Sequence, residues 1–180
     1  KSDVSSAFVP DFVEVNEEVL NVLELGAYLD FVFAPTYEGN DNAVAIYLGT
    51  EYETTQYHPN IDLGALVPPD FQVTGRPWYV GASPAENPER RTVWTPVYLD
   101  ATGKGLLVTA SSPVYAGEDE YVGAVGVDVT LDNIAGSVEE AEVLGSGYAF
   151  LLDEEGRAIA LPGQGYQDIL GRAQEAEEVW

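Results

Sequence analysis

The sequence predicts an α+β domain in which a long N-terminal helix precedes one central antiparallel sheet. Three observations predict it. Apolar residues recur at helical spacing from Val15 to Phe33, a hairpin pattern follows from Ala43 to Tyr57, and three strand-length runs then succeed one another with turn residues between them.

The helix opens with Asp11 as N-cap and Glu14 three residues on. Val15, Val19, Val22, Leu25 or Gly26, Leu29 and Phe33 then share a face, Glu14, Glu17 and Glu18 sit favourably near the N-terminal dipole, and Pro35 ends the helix. After the Gly39-Asn40-Asp41-Asn42 turn, Ala43 to Leu48 reads as a strand with Glu53 to Tyr57 as its hairpin partner. Pro59 to Pro69 is a broken connection, and Trp78 to Ala82 forms one helical turn behind Pro77, whose fixed φ suits a first helical position. Thr92 to Leu99, Leu106 to Tyr115 and Tyr121 to Val129 are the three consecutive strands, with turns at Asp100-Ala101-Thr102-Gly103 and Ala116-Gly117-Glu118-Asp119. Thr130 caps a second helix through Leu131, Ile134, Val138 and Ala141, ending at Gly145, and Tyr148 to Leu152 with Arg157 to Leu161 make a last hairpin.

Composition narrows the function. With 46% apolar residues, eleven Tyr, six Phe and three Trp in 180 residues, the chain has enough apolar surface to fold despite a net charge of -24. Thirty-one acids against seven Lys and Arg repel nucleic-acid phosphates, so nucleic acid is excluded as a partner. The same acidity suits a protein in brine, and a halophilic source fits it. No Cys and a single His leave no zinc cluster and no Ser-His or Cys-His nucleophile, and His58, in Tyr57-His58-Pro59-Asn60, is assigned a turn or surface role. The Gly-x-Gly pieces at Gly145 and Gly163 lack the rest of a nucleotide-binding fingerprint. The segment is therefore read as non-catalytic, with no cofactor. No run approaches eighteen apolar residues and no signal peptide follows Lys1, which fits a soluble segment of a longer, membrane-bound protein.

The residues that carry chemistry lie at Gly75-Arg76-Pro77-Trp78-Tyr79, at Trp94-Thr95-Pro96-Val97-Tyr98 and at Asp128. A guanidinium beside aromatic rings grips a carboxylate bidentately, and Arg76 is placed to do so for a ligand or to pair with one of the many acids of its own chain. Of Trp78 and Tyr79, either of which packs well in a core, one faces a pocket while the other packs the core, and Tyr79, with a hydroxyl, is the better polar ligand contact. Alternation puts Trp94, Pro96 and Tyr98 on one strand face, toward a groove or a covering helix, and Val93, Val97 and Leu99 on the other, toward the core. Asp128 faces away from Val125 and Val127, either into solvent or toward a ligand ammonium.

These blocks, with Thr102-Gly103-Lys104, Val108 to Tyr115 and Gly123 to Leu131, resemble in order the Cache domain, the PAS-like extracytoplasmic sensor of chemoreceptors, histidine kinases and related receptors. The resemblance runs from about Ala43 to Ile134 and implies a PAS-like ligand-binding sheet domain behind a helix leading from a membrane. It divides the chain into a membrane-distal domain with its leading helix, 1–145, and a partial second, membrane-proximal unit or C-terminal extension, 146–180, which Gly147 to Asp153 resembles at its start. In the branch of the family that binds amino acids, an Arg and a Trp matching Arg76 and Trp78 hold the ligand carboxylate, a Tyr matching Tyr79 assists, and an Asp matching Asp128 holds the ammonium. Trp94, Tyr98 and Asp100 of the second block complete the candidate ligand-binding set. That branch carries a Tyr five residues before the Arg, where this chain has Phe71, so an amine, a short carboxylate or another small metabolite stays open beside an amino acid. The resemblance also implies flanking transmembrane helices and a homodimer through paired leading helices. An extracellular interaction module without a pocket is the competing reading.

Overall fold

Strand alternation sorts the central sheet into two faces with different covers, and this division places everything else. The computed structural model describes residues 4–143, 147–152, 156, 158–160, 162, 163 and 165. Contacts divide the chain into two units, 1–130 and 131–180, whereas the sequence reading set the boundary at 145 and 146. The first unit comprises β1 (Ser6–Phe8), α1 (Glu17–Gly26), α2 (Asp30–Glu38), β2 (Ala45–Thr50), β3 (Thr55–His58), α3 (Leu63–Leu66), α4 (Pro77–Ala82), β4 (Val93–Trp94), β5 (Tyr98–Leu99), β6 (Leu106–Ala116) and β7 (Glu120–Thr130). Its sheet runs β1-β3-β2-β7-β6-β4 with β5 also on β6, every pair antiparallel. The second unit holds α5 (Leu131–Glu139), β8 (Glu142–Val143) paired with β9 (Gly147–Tyr148), and β10 (Leu151–Leu152) paired with β11 (Ala158–Ala160). The helix expected to run through Ala141 to Gly145 instead stops at Glu139, because Glu142 and Val143 pair with β9 as a strand, while Gly145 itself and Arg157 and Leu161, assigned to the last hairpin from sequence, lie outside the described residues.

On one face, Ile46, Leu48, Val125 and Val127 pack with Leu29, Phe33 and Tyr37 of the leading helix. On the other, Ala45, Tyr47, Tyr57 and Ala124 lie under Leu63, Val67, Val73, Trp78 and Tyr79. The hairpin, the turn behind Pro77 and the two long strands form where the sequence placed them, to within one or two residues at most ends.

The leading helix differs from expectation at both ends. Asn16, not Asp11, is the N-cap, its side chain accepting the Val19 N–H at 2.9 Å, while Asp11 lies in a turn closed by Val13 N–H on the Pro10 carbonyl. This start places Val19, Gly26 and Phe33, spaced seven apart, on the buried stripe and leaves Val15 and Leu25 exposed. Pro35 does not end the helix. A 3-10 turn at Ala27–Leu29 joins α1 to α2, and Pro35 sits inside α2, where the carbonyl it leaves without an N–H belongs to Phe31, on the exposed side open to water. By length and a mean hydropathy of 1.2 the continuous Glu17–Glu38 helix passes a composition test for crossing a membrane, the one helix among the described residues to do so. Here its buried stripe covers the sheet.

The expected strand from Thr92 to Leu99 is broken in two, and the break inverts its faces. Pro96 has no N–H for the ladder, and Thr95 instead accepts the Thr109 N–H on its side-chain oxygen at 2.9 Å. Trp94 pairs with Ala110 and Tyr98 with Leu107, so four steps on this strand answer three on β6. One extra residue turns the following side chains to the opposite face. Trp94 is thus exposed and Tyr98 turned inward, while Val97 and Leu99, expected in the core, face solvent. His58, expected at a turn or surface, is instead buried at the end of β3, edge-on to Tyr37 with ring centroids 5.4 Å apart.

Two glycines let rings lie on the sheet. A Cβ at Gly126 would come within 2.5 Å of the Tyr47 ring, and one at Gly49 within 2.3 Å of the Trp78 ring. Gly126→Ala therefore destabilises the domain by about 1–3 kcal/mol through overpacking. Urea melts of the two proteins measure it, and an unchanged midpoint contradicts the packing described.

Candidate functional site

Pro77 fixes the position of Arg76. The residue before a proline is held extended, and Arg76 has φ -76 and ψ 145 as the N-cap of α4. Its guanidinium carbon lies 5.5 Å from the ring centres of both Phe71 and Tyr98, and its Nη2 is 3.5 Å from the Leu99 carbonyl. Among the described residues no carboxylate lies within 4.0 Å of it. The segment ahead of Arg76 is pinned by Glu53, in the β2–β3 turn at φ 62, whose carboxylate accepts the backbone N–H groups of Val73 at 2.5 Å and Thr74 at 3.0 Å.

Asp128 sits at the opposite extreme of chemistry. It is 2% exposed, registered against Ala45 and Thr109 on its two neighbouring strands. Its Oδ1 accepts from Tyr47 Oη at 2.5 Å and from Thr109 Oγ1 at 2.7 Å. Since the Thr109 proton is used there, Tyr98 Oη, 2.7 Å from Thr109 Oγ1, is the donor in that contact. A chain Tyr98–Thr109–Asp128–Tyr47 results. Burial raises the Asp128 pKa to about 6, with Asp100 adding to the rise while Tyr47, Thr109 and Lys104 oppose it. Burial likewise pushes the Tyr98 hydroxyl up to about 12 and holds those of Tyr47 and Tyr57 well above the ordinary range, in each case reinforced by the Asp128 charge.

Asp100 closes the β5–β6 turn, its Oδ2 accepting the backbone N–H groups of Thr102 at 3.1 Å and Lys104 at 3.0 Å and the Thr102 hydroxyl. Lys104 folds back over this turn. Its Nζ donates to Tyr57 Oη at 2.5 Å and Thr102 Oγ1 at 2.6 Å, and lies 3.9 Å from Asp100 Oδ2. Partial burial lowers its pKa against the pull of Asp100 and Asp128.

These side chains line one cavity on the face away from the leading helix. Arg76, Trp78, Tyr98, Asp100 and Asp128 of the expected set are brought together there, with Phe71 beside them. Its walls enclose about 380 Å³ counted to the mouth, of which about 30 Å³ is open to the centre of a water molecule. Tyr79 and Trp94 do not line it. Tyr79 packs edge-on to Trp78 and Tyr121 in the core, so one ring faces the cavity and the other the core, but it is Trp78 that lines the cavity and Tyr79, expected as the better polar contact, that does not. Sequence reasoning missed Tyr47, Thr55, Tyr57, Leu63, Ala101 and Thr102 as wall residues, and Thr109 and Lys104 behind them. The strand glycines Gly49 and Gly126 were the available signal, because a Gly within a strand marks a close approach. No group of three or more metal-ligating side chains occurs among the described residues.

An antiparallel sheet with a helix on one face and a charged, aromatic-lined cavity on the other defines a small-molecule sensor domain. The chain belongs to the family of methyl-accepting chemotaxis protein-like, first PDC sensor domains, which residues 16–136 match, and this is the kind of domain that the Arg76-to-Leu131 blocks resemble. Such sensor domains are a non-catalytic kind. The chain is 33% identical over 131 residues to the methyl-accepting chemotaxis protein McpC of Bacillus subtilis strain 168, covering 72% of this chain and 19% of that protein, so it spans about a fifth of that relative's length. Among solved structures it is similar to the ligand-binding domain of Mlp24 with asparagine, at 29% identity and TM-score 0.55 over 85% of this chain and 63% of that one. It is also similar to the ligand-binding domain of the Pseudomonas aeruginosa PAO1 amino-acid chemoreceptor PctB in complex with L-Gln, at 26% identity and TM-score 0.54 over 77% and 55%.

The pKa of Asp128 sets a pH dependence. Folded Asp128 keeps its proton to about pH 6 and the unfolded chain only to about 4, so the folded state binds more protons between those values. Stability therefore falls as pH rises through that window and stays lower above it. Asp128→Asn keeps an acceptor for Tyr47 and Thr109 without the charge. At pH 7.5 it is expected to be more stable than wild type by on the order of 2 kcal/mol, a difference that vanishes near pH 4. Urea melts across that range test this, and a variant less stable at pH 7.5 refutes it.

Proposed function

We propose that this chain is the extracytoplasmic ligand-binding segment of a transmembrane signalling receptor and that its ligand is an amino acid. One observation carries the reading. A guanidinium with no carboxylate partner among the described residues and a buried carboxylate line the same small cavity, complementary to the two charges of a zwitterion. Arg76 takes the ligand carboxylate with the Trp78 and Phe71 rings excluding water, and Asp128 takes the ammonium with Tyr98 and Asp100 beside it. Asparagine and L-Gln in the ligand-binding domains to which this chain is similar support the same class. With Phe71 in place of a Tyr, the carboxylate depends more heavily on Arg76.

Function here is binding without turnover. The cavity admits little more than water in this structure, so a ligand must part the walls, and the free-energy difference between the two forms is what the receptor reads. The output, methyl-accepting or kinase, lies on the far side of a membrane, and residues 146–180 open a second, membrane-proximal unit or a C-terminal extension. The net charge of -24 supports a saline setting, so binding is measured at low and high salt.

Calorimetric titration against amino acids, amines and short carboxylates tests the ligand class. An amino acid is expected to bind, with Arg76→Ala weakening it by about tenfold to a hundredfold. Affinity should also fall by up to about tenfold per pH unit below pH 6, where Asp128 gains its proton, and level off above pH 7. Binding of des-amino carboxylates alone, with no dependence on Asp128, overturns the assignment.

The leading helix supports a homodimer. Leu25, Tyr28 and Phe31 are 68%, 69% and 80% exposed on the side away from the sheet, more apolar surface than a solvated helix requires. Sedimentation velocity at rising concentration should show a weak dimer that Phe31→Glu abolishes, whereas a monomer at every concentration excludes pairing by this segment alone.

A further inference from the structure

The cavity wall contributed by β3 and the β5–β6 turn carries polar groups that the carboxylate and ammonium of a zwitterion do not use. Thr55 is 3% exposed, lines the cavity, and its Oγ1 is a buried hydroxyl with no hydrogen-bond partner. Such a group costs stability unless something supplies a partner. Two residues along the same strand face, Tyr57 also lines the cavity and stacks on Tyr47 with ring centroids 5.4 Å apart. Lys104 spends two of its three N–H donors on Tyr57 Oη and Thr102 Oγ1, both of them wall residues, and at 3.9 Å from Asp100 Oδ2 its third reaches no hydrogen-bond acceptor among the described residues. The ammonium is largely withdrawn from water, its side chain 24% exposed.

The charges of the site also divide. Asp100 is engaged by its own turn and faces Lys104, which leaves Asp128 as the carboxylate for a ligand ammonium. A second cation entering with the ligand would find Lys104 instead of a free acid, in surroundings where like charges repel more strongly than in water.

We propose that Thr55 and Lys104 form a side-chain subsite that favours amino acids ending in an oxygen acceptor, a carboxamide or a carboxylate, and rejects those ending in a cation. This rests on the amino-acid reading above. A carboxamide or carboxylate oxygen accepts from the Thr55 hydroxyl at the wall and is favoured by the Lys104 charge held behind Tyr57 and Thr102, an aliphatic side chain leaves the hydroxyl unpaired, and an arginine or lysine side chain is repelled by the Lys104 charge.

The test is calorimetric titration of the whole chain with L-glutamine, L-glutamate, L-leucine and L-arginine, for wild type, Lys104→Met and Thr55→Val. Wild type is expected to bind glutamine or glutamate about tenfold or more tighter than leucine or arginine. Lys104→Met keeps the apolar stem and loses the charge, so arginine should gain, glutamate should lose about tenfold or more, and leucine should stay within about twofold. Thr55→Val is nearly isosteric and should weaken glutamine by about threefold to tenfold with leucine unchanged. Ratios between ligands separate a specificity role from general loss of fold, and either variant alone suffices if the other does not fold. Arginine binding to wild type as tightly as glutamine, or ratios unchanged in a folded variant, overturns the proposal while leaving the amino-acid reading standing. Binding of none of the four with binding of an amine or plain carboxylate overturns both.

Discussion

A carboxylate held at 2% exposure inside a β-sheet is the constraint on which the rest of this domain turns. Asp128 is kept there by Tyr47 and Thr109, one from each flanking strand, and a charged group so placed is tolerated only with such donors. Tyr47 reaches it because Gly126 leaves room for the ring to lie across β7. Thr109 is free to give its proton because Tyr98 supplies the next one, and Tyr98 points inward because of the extra residue at Thr95-Pro96-Val97. Irregularities that look unrelated along the chain, a strand glycine and a strand proline, thus serve one buried charge.

The two charged ends of the cavity are built by opposite means. Asp128 is rigid because it belongs to the central strand pair and is hydrogen-bonded within it. Arg76 is placed by its backbone, extended before Pro77 and preceded by a loop that Glu53 holds, with rings on its flanks and, among the described residues, no carboxylate within 4.0 Å of its tip. A guanidinium anchored at its base, with only a long contact to the Leu99 carbonyl and no carboxylate partner among the described residues, is ready for an incoming carboxylate at little reorganisation cost.

Much of this was legible in the sequence, and the failures share causes. The hairpin, the turn behind Pro77 and the two long strands were readable because each is bounded by Gly, Asn, Asp or Pro whose backbone preferences are local. That Arg76, Trp78, Tyr98, Asp100 and Asp128 come together was readable from the order of the motif blocks, and the structure places all five on the wall of one cavity. The helix start was missed because Asp11 and Asn16 are both good caps, and only packing selects the one that puts Val19, Gly26 and Phe33 on the sheet. Trp94 and Tyr79 were misplaced because alternation was carried through Pro96 without the extra residue, and because a ring's chemistry does not fix its direction on a single helical turn. Tyr47, Tyr57 and Thr55 were invisible for a different reason: they lie in strands whose every residue is buried, so no period separates cavity from core.

The same burial pattern joins the cavity to the leading helix. In β7, Asp128 faces the cavity and Val127, one peptide away, packs in the cluster that holds Phe33. In β2, Tyr47 faces the cavity while Ile46 and Leu48 face the helix. Alternating side chains of a strand cannot move independently, because a rotation that withdraws one advances the next. Parting the cavity walls therefore acts directly on the strands that seat the leading helix, with no intermediary element needed. The helix sits on that face through Leu29, Phe33 and Tyr37, with Val19 and Gly26 buried further along it, so a shift in those strands bears on the seat of the helix.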